Sequence, residues 1–287
     1  MKKEIREMFP SWCEDRETKF ELVLSDDIDS LMCYTYQREK FDREVKRFFD
    51  AGAYTDYQIM YRLEDYKNEN SSIGLDIALE GEIKCWDNHV VKYSKDDYVN
   101  PNSANMNKNI CNYNYYSKYI VSSFITMLSY YDEDLTTWSK DQLAVLCAID
   151  GLYTPFLSKY GGRFVSTARK NLDDLGYGYL ADFMIENLKY IEQIKRELKL
   201  DAKIKMVNGH LETGMDLEKL SEIFCCNIEL PSKKFKKIKS IKRVAKPIAF
   251  SKDSIDKGLF NFSLTNKGYC CFSYTEYASS MLNRNKK

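Results

Sequence analysis

Carboxylates interrupt or end the most apolar runs of this 287-residue chain, and this pattern constrains its fold more than any other feature. The acids are Asp27 and Asp29 after residues 20–25, Asp76 within residues 73–79, Asp87 with His89 within residues 83–91, and Asp150 after residues 143–149. A buried carboxylate without a compensating partner is costly. Because ligand sites of α/β sheets form at the carboxyl ends of the strands, we expect these side chains to converge at one edge of a sheet.

The spacing of apolar residues predicts an α/β fold. Residues 20–25 predict a strand that is followed by a loop and a helix from Ser30, and residues 73–79 and 83–91 predict two further buried strands. The asparagine-rich stretch 100–114 predicts a long loop, and residues 117–131 predict a helix. Ser139 and Gln142 have the spacing of a capping box, which places the start of another helix there.

A long amphipathic segment, residues 181–200, predicts a helix that connects two domains. We expect residues 1–200 to form an α/β domain with a mostly parallel sheet flanked by helices. Residues 201–287 are expected to form a smaller α+β domain that closes over the cleft of the first. This second part contains a basic stretch at 233–246 and a probable hairpin turn at 266–268.

The two histidines of the chain limit its metal chemistry. His89 and His210 cannot make a zinc site of the HExxH type. Carboxylates with one imidazole suit Mn²⁺ or Mg²⁺ better than zinc. The sequence motifs of a P-loop, a Rossmann cofactor fold and a hydrolase nucleophile elbow are absent. We therefore expect a carboxylate site with Mn²⁺ or Mg²⁺ as the cofactor.

Charge and hydropathy restrict the partners and the location that the sequence predicts for the protein. Forty-three basic residues balance forty-three acidic ones, so an attraction to nucleic acid has to come from a local patch. No run of about 18 apolar residues is present that could span a bilayer, and the first residues do not have the pattern of a signal peptide. The nine cysteines include no CxxC pair and are typical of reduced thiols. The sequence predicts a cytoplasmic protein with no membrane partner and leaves a homodimer open.

Four short segments resemble, in their order, the four motifs of the DHH phosphoesterase superfamily. They are DIDS at 27–30, the lone acid Asp76 in GLDIAL, DNH at 87–89 and AIDG at 148–151. The resemblance spans residues 20–155, and the ordered set carries it, since DxD alone occurs in many proteins. The superfamily includes RecJ-like exonucleases, nanoRNases, cyclic-dinucleotide phosphodiesterases, exopolyphosphatases and family II pyrophosphatases.

The resemblance implies a pair of Mn²⁺ or Mg²⁺ ions and their ligands. By it, Asp27 and Asp29 bind the ions, Asp76 bridges them, Asp87 and His89 correspond to the DHH acid and one of its histidines, and Asp150 corresponds to the fourth-motif acid. The chain departs from the family at Asn88, which replaces the other histidine, and at Ser25, where many members have a metal-binding histidine. It also lacks the GGGH-like signature of the usual substrate domain, so no single branch supplies the substrate class.

These residues and the resemblance together predict a divalent-metal-dependent phosphodiesterase. Its expected substrate is a nucleotide, either a short single-stranded oligonucleotide or a cyclic dinucleotide. Hydrolysis is expected to use metal-activated water, with Asp76, Asp87 and His89 as catalytic residues. The expected substrate-binding residues are Asn88, Asn105, Arg163 and Arg169. A pyrophosphatase or polyphosphatase, and a catalytically degenerate protein that binds a nucleotide or partner without turnover, stay open as alternatives.

Each of these features also has a structural interpretation. Asp27 and Asp29 are typical of a loop that caps a helix, and Asp150 with Gly151 is a common turn. The basic stretch 233–246 either attracts phosphate backbones or forms a solvated face. The tyrosines in residues 113–116 either stack on bases or pack in the protein interior.

Overall fold

The computed structural model describes residues 1–52, 55–67, 71–157, 159, 161–248, 252, 255 and 258–274. The α-helices in these residues are α1 (Lys3–Arg6), α2 (Ile28–Phe41), α3 (Ser123–Tyr130), α4 (Lys140–Ala148), α5 (Gly161–Leu175), α6 (Leu180–Glu197) and α7 (Leu217–Phe224). The strands are β1 (Glu21–Leu24), β2 (Val45–Asp50), β3 (Tyr57–Leu63), β4 (Ser72–Leu75), β5 (Lys84–Trp86), β6 (Ser103–Ala104), β7 (Ile204–Val207), β8 (His210–Thr213), β9 (Phe235–Pro247), β10 (Leu259–Asn266) and β11 (Tyr269–Tyr274).

One mixed sheet dominates the fold. Its strand order is β10-β11-β9-β3-β2-β1-β4-β5-β6, and β7 pairs with β8 separately. Strands β2, β1, β4, β5 and β6 are parallel, whereas β3, β9, β11 and β10 are joined in antiparallel pairs. The fold is α/β as expected, but the expectation of a mostly parallel sheet is wrong. Strand β2 ends at Asp50 and β3 begins at Tyr57, and β10 ends at Asn266 and β11 begins at Tyr269. Connections of so few residues are too short for parallel crossovers.

The antiparallel half of the sheet curls back over the carboxyl ends of β4 and β5. Isolated antiparallel bridges join Leu79 to Asn261 and Val90 to Leu264. A buried ion pair between Lys252 and Glu80, 2.6 Å from nitrogen to oxygen, fastens the same region. The segment after residue 200 therefore extends the sheet and lies against the residues that follow β4 and β5. The domain boundary near 200 stays a prediction.

The parallel strands end just before the acids of the sequence pattern. We expected strands over 73–79 and 83–91, but β4 ends at Leu75 and β5 ends at Trp86. Asp76 and Asp87 thus come directly after the two strands. The backbone explains the stop in β4, because Asp76 adopts a left-handed conformation, φ 55°, which cannot continue a strand.

The helices confirm several local predictions. Ser139 and Gln142 form both hydrogen bonds of a capping box at the start of α4. The helix expected at 117–131 is shorter, because Ser122 caps α3 by accepting a hydrogen bond from the backbone of Ile125. The hairpin expected at 266–268 joins β10 and β11. In the part of the chain that the structure describes, no helix is long and apolar enough to cross a membrane.

Candidate metal centre

The acids meet beyond the carboxyl ends of two neighbouring strands, β1 and β4, whose following strands lie on opposite sides of the pair. Strands β1 and β4 are neighbours, but β1 continues through α2 to β2 on one side, whereas β4 leads to β5 on the other. Such a switch point opens a crevice at the carboxyl ends of the strands, where α/β proteins bind ligands. Asp29 comes from the first turn of α2, Asp76 follows β4, and Asp87 follows β5. The sheet topology therefore produces the convergence that the sequence pattern predicted.

Two groups of donor atoms share one carboxylate. In the first group, one atom each from Asp76, Asp87 and His89 lies within 4.8 Å of the others. In the second, the same holds for Asp29, Asp76 and Asp150. Asp76 belongs to both groups, so its two oxygens can serve two adjacent positions. This is the arrangement expected of a carboxylate that bridges two ions.

Asp29 is fixed by the start of α3. Its carboxylate accepts hydrogen bonds from the backbone nitrogens of Ser123, at 2.7 Å, and Phe124, at 2.8 Å. These amides are unpaired within the helix, and the helix dipole favours a negative charge at this end. The Ser123 hydroxyl donates to Asp76 Oδ1 at 3.0 Å. One helix terminus therefore positions two members of the second group.

Asp87 and His89 form an oriented pair. His89 Nδ1 lies 2.7 Å from Asp87 Oδ1, and Asn105 donates to Asp87 Oδ2 at 2.6 Å. The Asn105 amide also donates to the His89 carbonyl at 2.8 Å. When Nδ1 carries the proton, Nε2 keeps the lone pair that a metal ligand needs. Asn105, predicted to bind substrate, is 1% exposed and lies behind Asp87, where it positions the pair.

Burial and mutual repulsion raise the pKa values of three acids of the cluster, Asp29, Asp76 and Asp150. Burial raises the pKa of Asp76 well above the ordinary aspartate value, and the charges of Asp27 and Asp150 raise it further. The pKa of Asp29 is raised in the same way, by burial and then by Asp76. Desolvation and the charge of Asp27 raise the pKa of Asp150 as well. The cluster therefore has an excess of negative charge.

The histidine responds to the same charges. Burial alone lowers the pKa of His89, but its hydrogen bond to Asp87 and the nearby carboxylates outweigh burial and raise the pKa to about 10. The imidazole is thus protonated at neutral pH in the metal-free protein. Metal ligands must lose such protons, so a bound cation would take over the charge compensation that protons now provide.

Asp27 stands outside both groups of donor atoms. Its side chain caps α2 by accepting a hydrogen bond from the Ser30 backbone at 3.3 Å. Lys203 Nζ lies 3.1 Å from Asp27 and 3.0 Å from Asp26. The metal-ligand role of Asp27 stays a prediction, but its observed partner is an ammonium group. The contact joins residues 176 positions apart, and no local signal in the sequence could have revealed it.

Two cavities flank this ion pair. The first, of about 340 Å³, has Asp76, His89 and Lys203 on one side and the curled strands on the other, with Arg243, Asn261, Ser263 and Thr265 among its lining residues. The second, of about 310 Å³, is lined by Asp27, Asp150, Lys195 and Lys203 among others. Cavities of this size can hold small ligands. Lys203 and Arg243 supply positive charge beside the acids. Arg243 belongs to the basic stretch 233–246 noted in the sequence, whereas Lys203 was not predicted.

The predicted substrate-binding residues differ in their placement. Asn88 lies inside the cluster and donates hydrogen bonds to Asp29 and Asp150. Arg169 forms an ion pair with Asp182 on the surface, 2.7 Å apart. Neither Arg163 nor Arg169 is among the described residues that line the two cavities. Ser25 does line the first cavity.

The donor set fits a hard divalent cation. It consists of carboxylate oxygens with one imidazole nitrogen, which Mn²⁺ and Mg²⁺ accept and which lacks the thiolates of structural zinc sites. The raised pKa values of Asp29, Asp76 and His89 show that the cluster favours the binding of positive charge. Comparison with known proteins adds no family, since no family model, curated protein or solved structure matches the chain.

Proposed function

We propose that the protein is a divalent-metal-dependent phosphodiesterase that hydrolyses a nucleotide substrate. The observation that carries the proposal is the pair of donor groups joined by Asp76 at the switch point of the sheet. The order of the four acid-containing segments, which resembles the DHH phosphoesterases, supports the same conclusion.

Each residue of the cluster has a role in this proposal. Asp76, Asp87 and His89 would hold one ion, and Asp29, Asp76 and Asp150 the other. When bound, the ions would supply Lewis acidity toward phosphate oxygens and lower the pKa of water. Asp76, between the two groups, would orient the attacking water. Asn105 and Ser123 keep Asp87 and Asp76 in place through their hydrogen bonds.

Two basic side chains that line the first cavity, Lys203 and Arg243, would bind the negative charge of the substrate. Arg243 is permanently charged and presents a planar fork that matches two phosphate oxygens. Lys203 lies between the two cavities, where it balances part of the charge of Asp26 and Asp27. Hydrolysis breaks one P–O bond: the oxygen of water joins phosphorus, and the departing oxygen takes up a proton.

A hydrolysis panel tests the proposal. The substrates are bis(p-nitrophenyl) phosphate, dinucleotides, cyclic dinucleotides, (dT)₁₀, an RNA oligonucleotide and pyrophosphate, each with Mn²⁺ and with Mg²⁺. We expect metal-dependent turnover of phosphodiesters that falls at least about 100-fold in Asp76→Asn, since the charge stabilisation of the transition state is lost. Asp182→Asn, a surface acid outside the cluster, is the matched control. Turnover of pyrophosphate alone would replace the proposal with a pyrophosphatase.

A second candidate is a protein that binds a nucleotide without turnover. Asn88 donates to two carboxylates of the second group, and Lys203 neutralises Asp27, so protein groups partly satisfy the acids. Absence of turnover on the whole panel, together with metal-independent nucleotide binding, would favour this candidate.

A further inference from the structure

A surface rich in tyrosine and basic residues lies beside the cleft. It is built from three segments that are far apart in sequence: residues 112–119, residues 161–171 at the start of α5, and residues 265–269 at the turn between β10 and β11. We call it the tyrosine surface. None of the three segments contains an acid, although 43 of the 287 residues are acidic.

Aromatic side chains on this surface are open to solvent. Tyr113 is 92% exposed, Tyr116 is 44% exposed and Tyr269 is 38% exposed. Tyr115, by contrast, is buried and anchors the segment in a small apolar cluster. The sequence left stacking and packing open for these tyrosines, and the structure separates them: Tyr115 packs, whereas Tyr113 and Tyr116 present their rings to solvent.

Direct contacts hold the three segments together around Tyr116. Its ring meets Phe164 edge to face, with centroids 6.2 Å apart. Lys267 Nζ lies 5.2 Å from the centroid of the same ring. The backbone nitrogen of Gly268 donates to Asn112 Oδ1 at 2.6 Å. The platform is therefore built by tertiary contacts rather than by one flexible loop.

The tyrosine surface adjoins the acid cluster. The Asn107 amide donates to the Asn88 carbonyl at 2.7 Å and to the Tyr119 carbonyl at 3.1 Å, and so ties the DNH segment to the end of the tyrosine segment. Lys118 lies close enough to Asp150 for their charges to interact. At the far side, Asp174 is already engaged by Tyr119, Lys2 and Lys170.

We propose that the tyrosine surface binds single-stranded nucleic acid beside the metal cleft, with Tyr113 and Tyr116 stacking on bases and Lys267 and Arg163 contacting phosphates. Stacking accepts any base because every base has a π face, and it needs bases that are not paired in a duplex. Arg169 and Lys170 of these segments form ion pairs with Asp182 and Asp174. Among the described residues no acid pairs with Arg163 or Lys267, so these two are the cations assigned to a polyanion. Arg163, absent from the cavities, has a place in this surface, where it is exposed next to Phe164.

This proposal goes beyond the proposed function, because binding here requires neither metal nor hydrolysis. The test is fluorescence anisotropy of labelled (dT)₁₀ with the full chain in EDTA, so that turnover cannot occur. We expect Tyr116→Ala and Tyr113→Ala each to raise Kd about 10-fold. Lys267→Ala should reduce the slope of log K against log salt by about 0.7, the value for one phosphate contact on a single strand.

Matched variants separate this site from general effects. Tyr57→Ala removes a tyrosine that is 52% exposed on β3, and Lys189→Ala removes an exposed lysine of α6; both should bind as the wild type does. Tyr113 is so exposed that its replacement leaves folding intact, which keeps the test valid if Tyr116→Ala is unstable. Unchanged hydrolysis of bis(p-nitrophenyl) phosphate in the tyrosine variants would show that the metal cleft is undisturbed.

Three results would overturn the proposal. The first is that the wild type does not bind (dT)₁₀, and the second is that it binds a duplex equally well. The third is that Tyr113→Ala, Tyr116→Ala and Lys267→Ala all bind (dT)₁₀ with wild-type affinity. Failure of the proposed function gives a different result: no hydrolysis by any protein, with (dT)₁₀ binding that still depends on Tyr113 and Tyr116.

Discussion

Asp76 is singled out both by the sequence pattern and by its position in the structure. It interrupts an apolar run, its left-handed backbone ends β4, and its carboxylate belongs to both donor groups. Its backbone nitrogen donates to the Trp86 carbonyl at 2.9 Å, which fixes the end of β4 against β5. A buried acid at such a position needs a compensating partner, so the sequence alone predicts that other groups converge on it. The role of Asp76 as a metal ligand stays a prediction.

The raised proton affinity of the cluster predicts an unusual pH dependence of stability. In the metal-free protein, the folded state raises the pKa of Asp29, Asp76 and His89, so it binds more protons than the unfolded state. The contribution of these three groups to stability is therefore fully present below the ordinary aspartate pKa of about 4 and is lost as pH rises through their raised pKa values in the folded state. We expect Tm in EDTA to fall between pH 5 and 9, and to fall less in Asp76→Asn.

Thermal unfolding with and without Mn²⁺ checks this pH dependence. Because metal ligands must be deprotonated, the rise in Tm caused by Mn²⁺ should grow as pH rises. Equal slopes of Tm against pH in wild type and Asp76→Asn, measured in EDTA, would show that the cluster does not contribute.

The residues that sequence analysis missed have no local signature. Asp29, Asp76, Asp87, His89 and Asp150 stand next to apolar runs, and the structure brings these five together. Lys203 was not predicted, and Arg243 belongs to the basic stretch 233–246, for which the sequence left phosphate binding and a solvated face open. Their positions beside the acids depend on contacts across more than a hundred residues, which neither periodicity nor spacing encodes.

At the scale of elements, the residues of the candidate metal centre lie at the ends of strands and helices. The ends of β4 and β5, the first turn of α2, the start of α3 and the end of α4 each contribute a residue or a hydrogen bond. Capping chemistry predicted the start of α4, and the asparagine-rich loop was expected. The later start of α3 was not expected. The apolar spacing that predicts the helix continues on both sides of Ser122, and this spacing does not show that Ser122 caps the helix.

The ion pair of Lys203 with Asp26 and Asp27 joins the segment before β7 to the loop after β1. Asp26 is buried, so Lys203→Met would leave its charge uncompensated. Since the Lys203 side chain is 35% exposed, we expect the free energy of unfolding to fall by about 2 kcal/mol, less than for a fully buried pair.

Urea denaturation of three variants checks this contribution. Lys203→Arg keeps the charge and should retain most of the stability. Asp26→Asn in the Lys203→Met background should recover part of the loss, because it removes the unpaired carboxylate. An unchanged free energy of unfolding in Lys203→Met would contradict the account of this contact.

At the scale of the whole molecule, the curled sheet determines what the cleft can contact. The sequence predicted an α/β fold and a C-terminal segment that covers the cleft. It did not predict that β9 pairs with β3 and that β10 bridges back to Leu79 and Val90. Strand partners far apart in sequence are chosen by tertiary packing, and alternation along one strand does not identify its neighbour.

The central claim is that Asp76 joins two divalent-ion positions, and titration calorimetry with Mn²⁺ tests it most directly. We predict that the wild type binds two ions, that Asp87→Asn and Asp150→Asn each impair one of them, and that Asp76→Asn weakens both. Asp182→Asn should bind as the wild type does. The claim is contradicted if the wild type binds no Mn²⁺, or if Asp76→Asn binds the same number of ions with the same affinity.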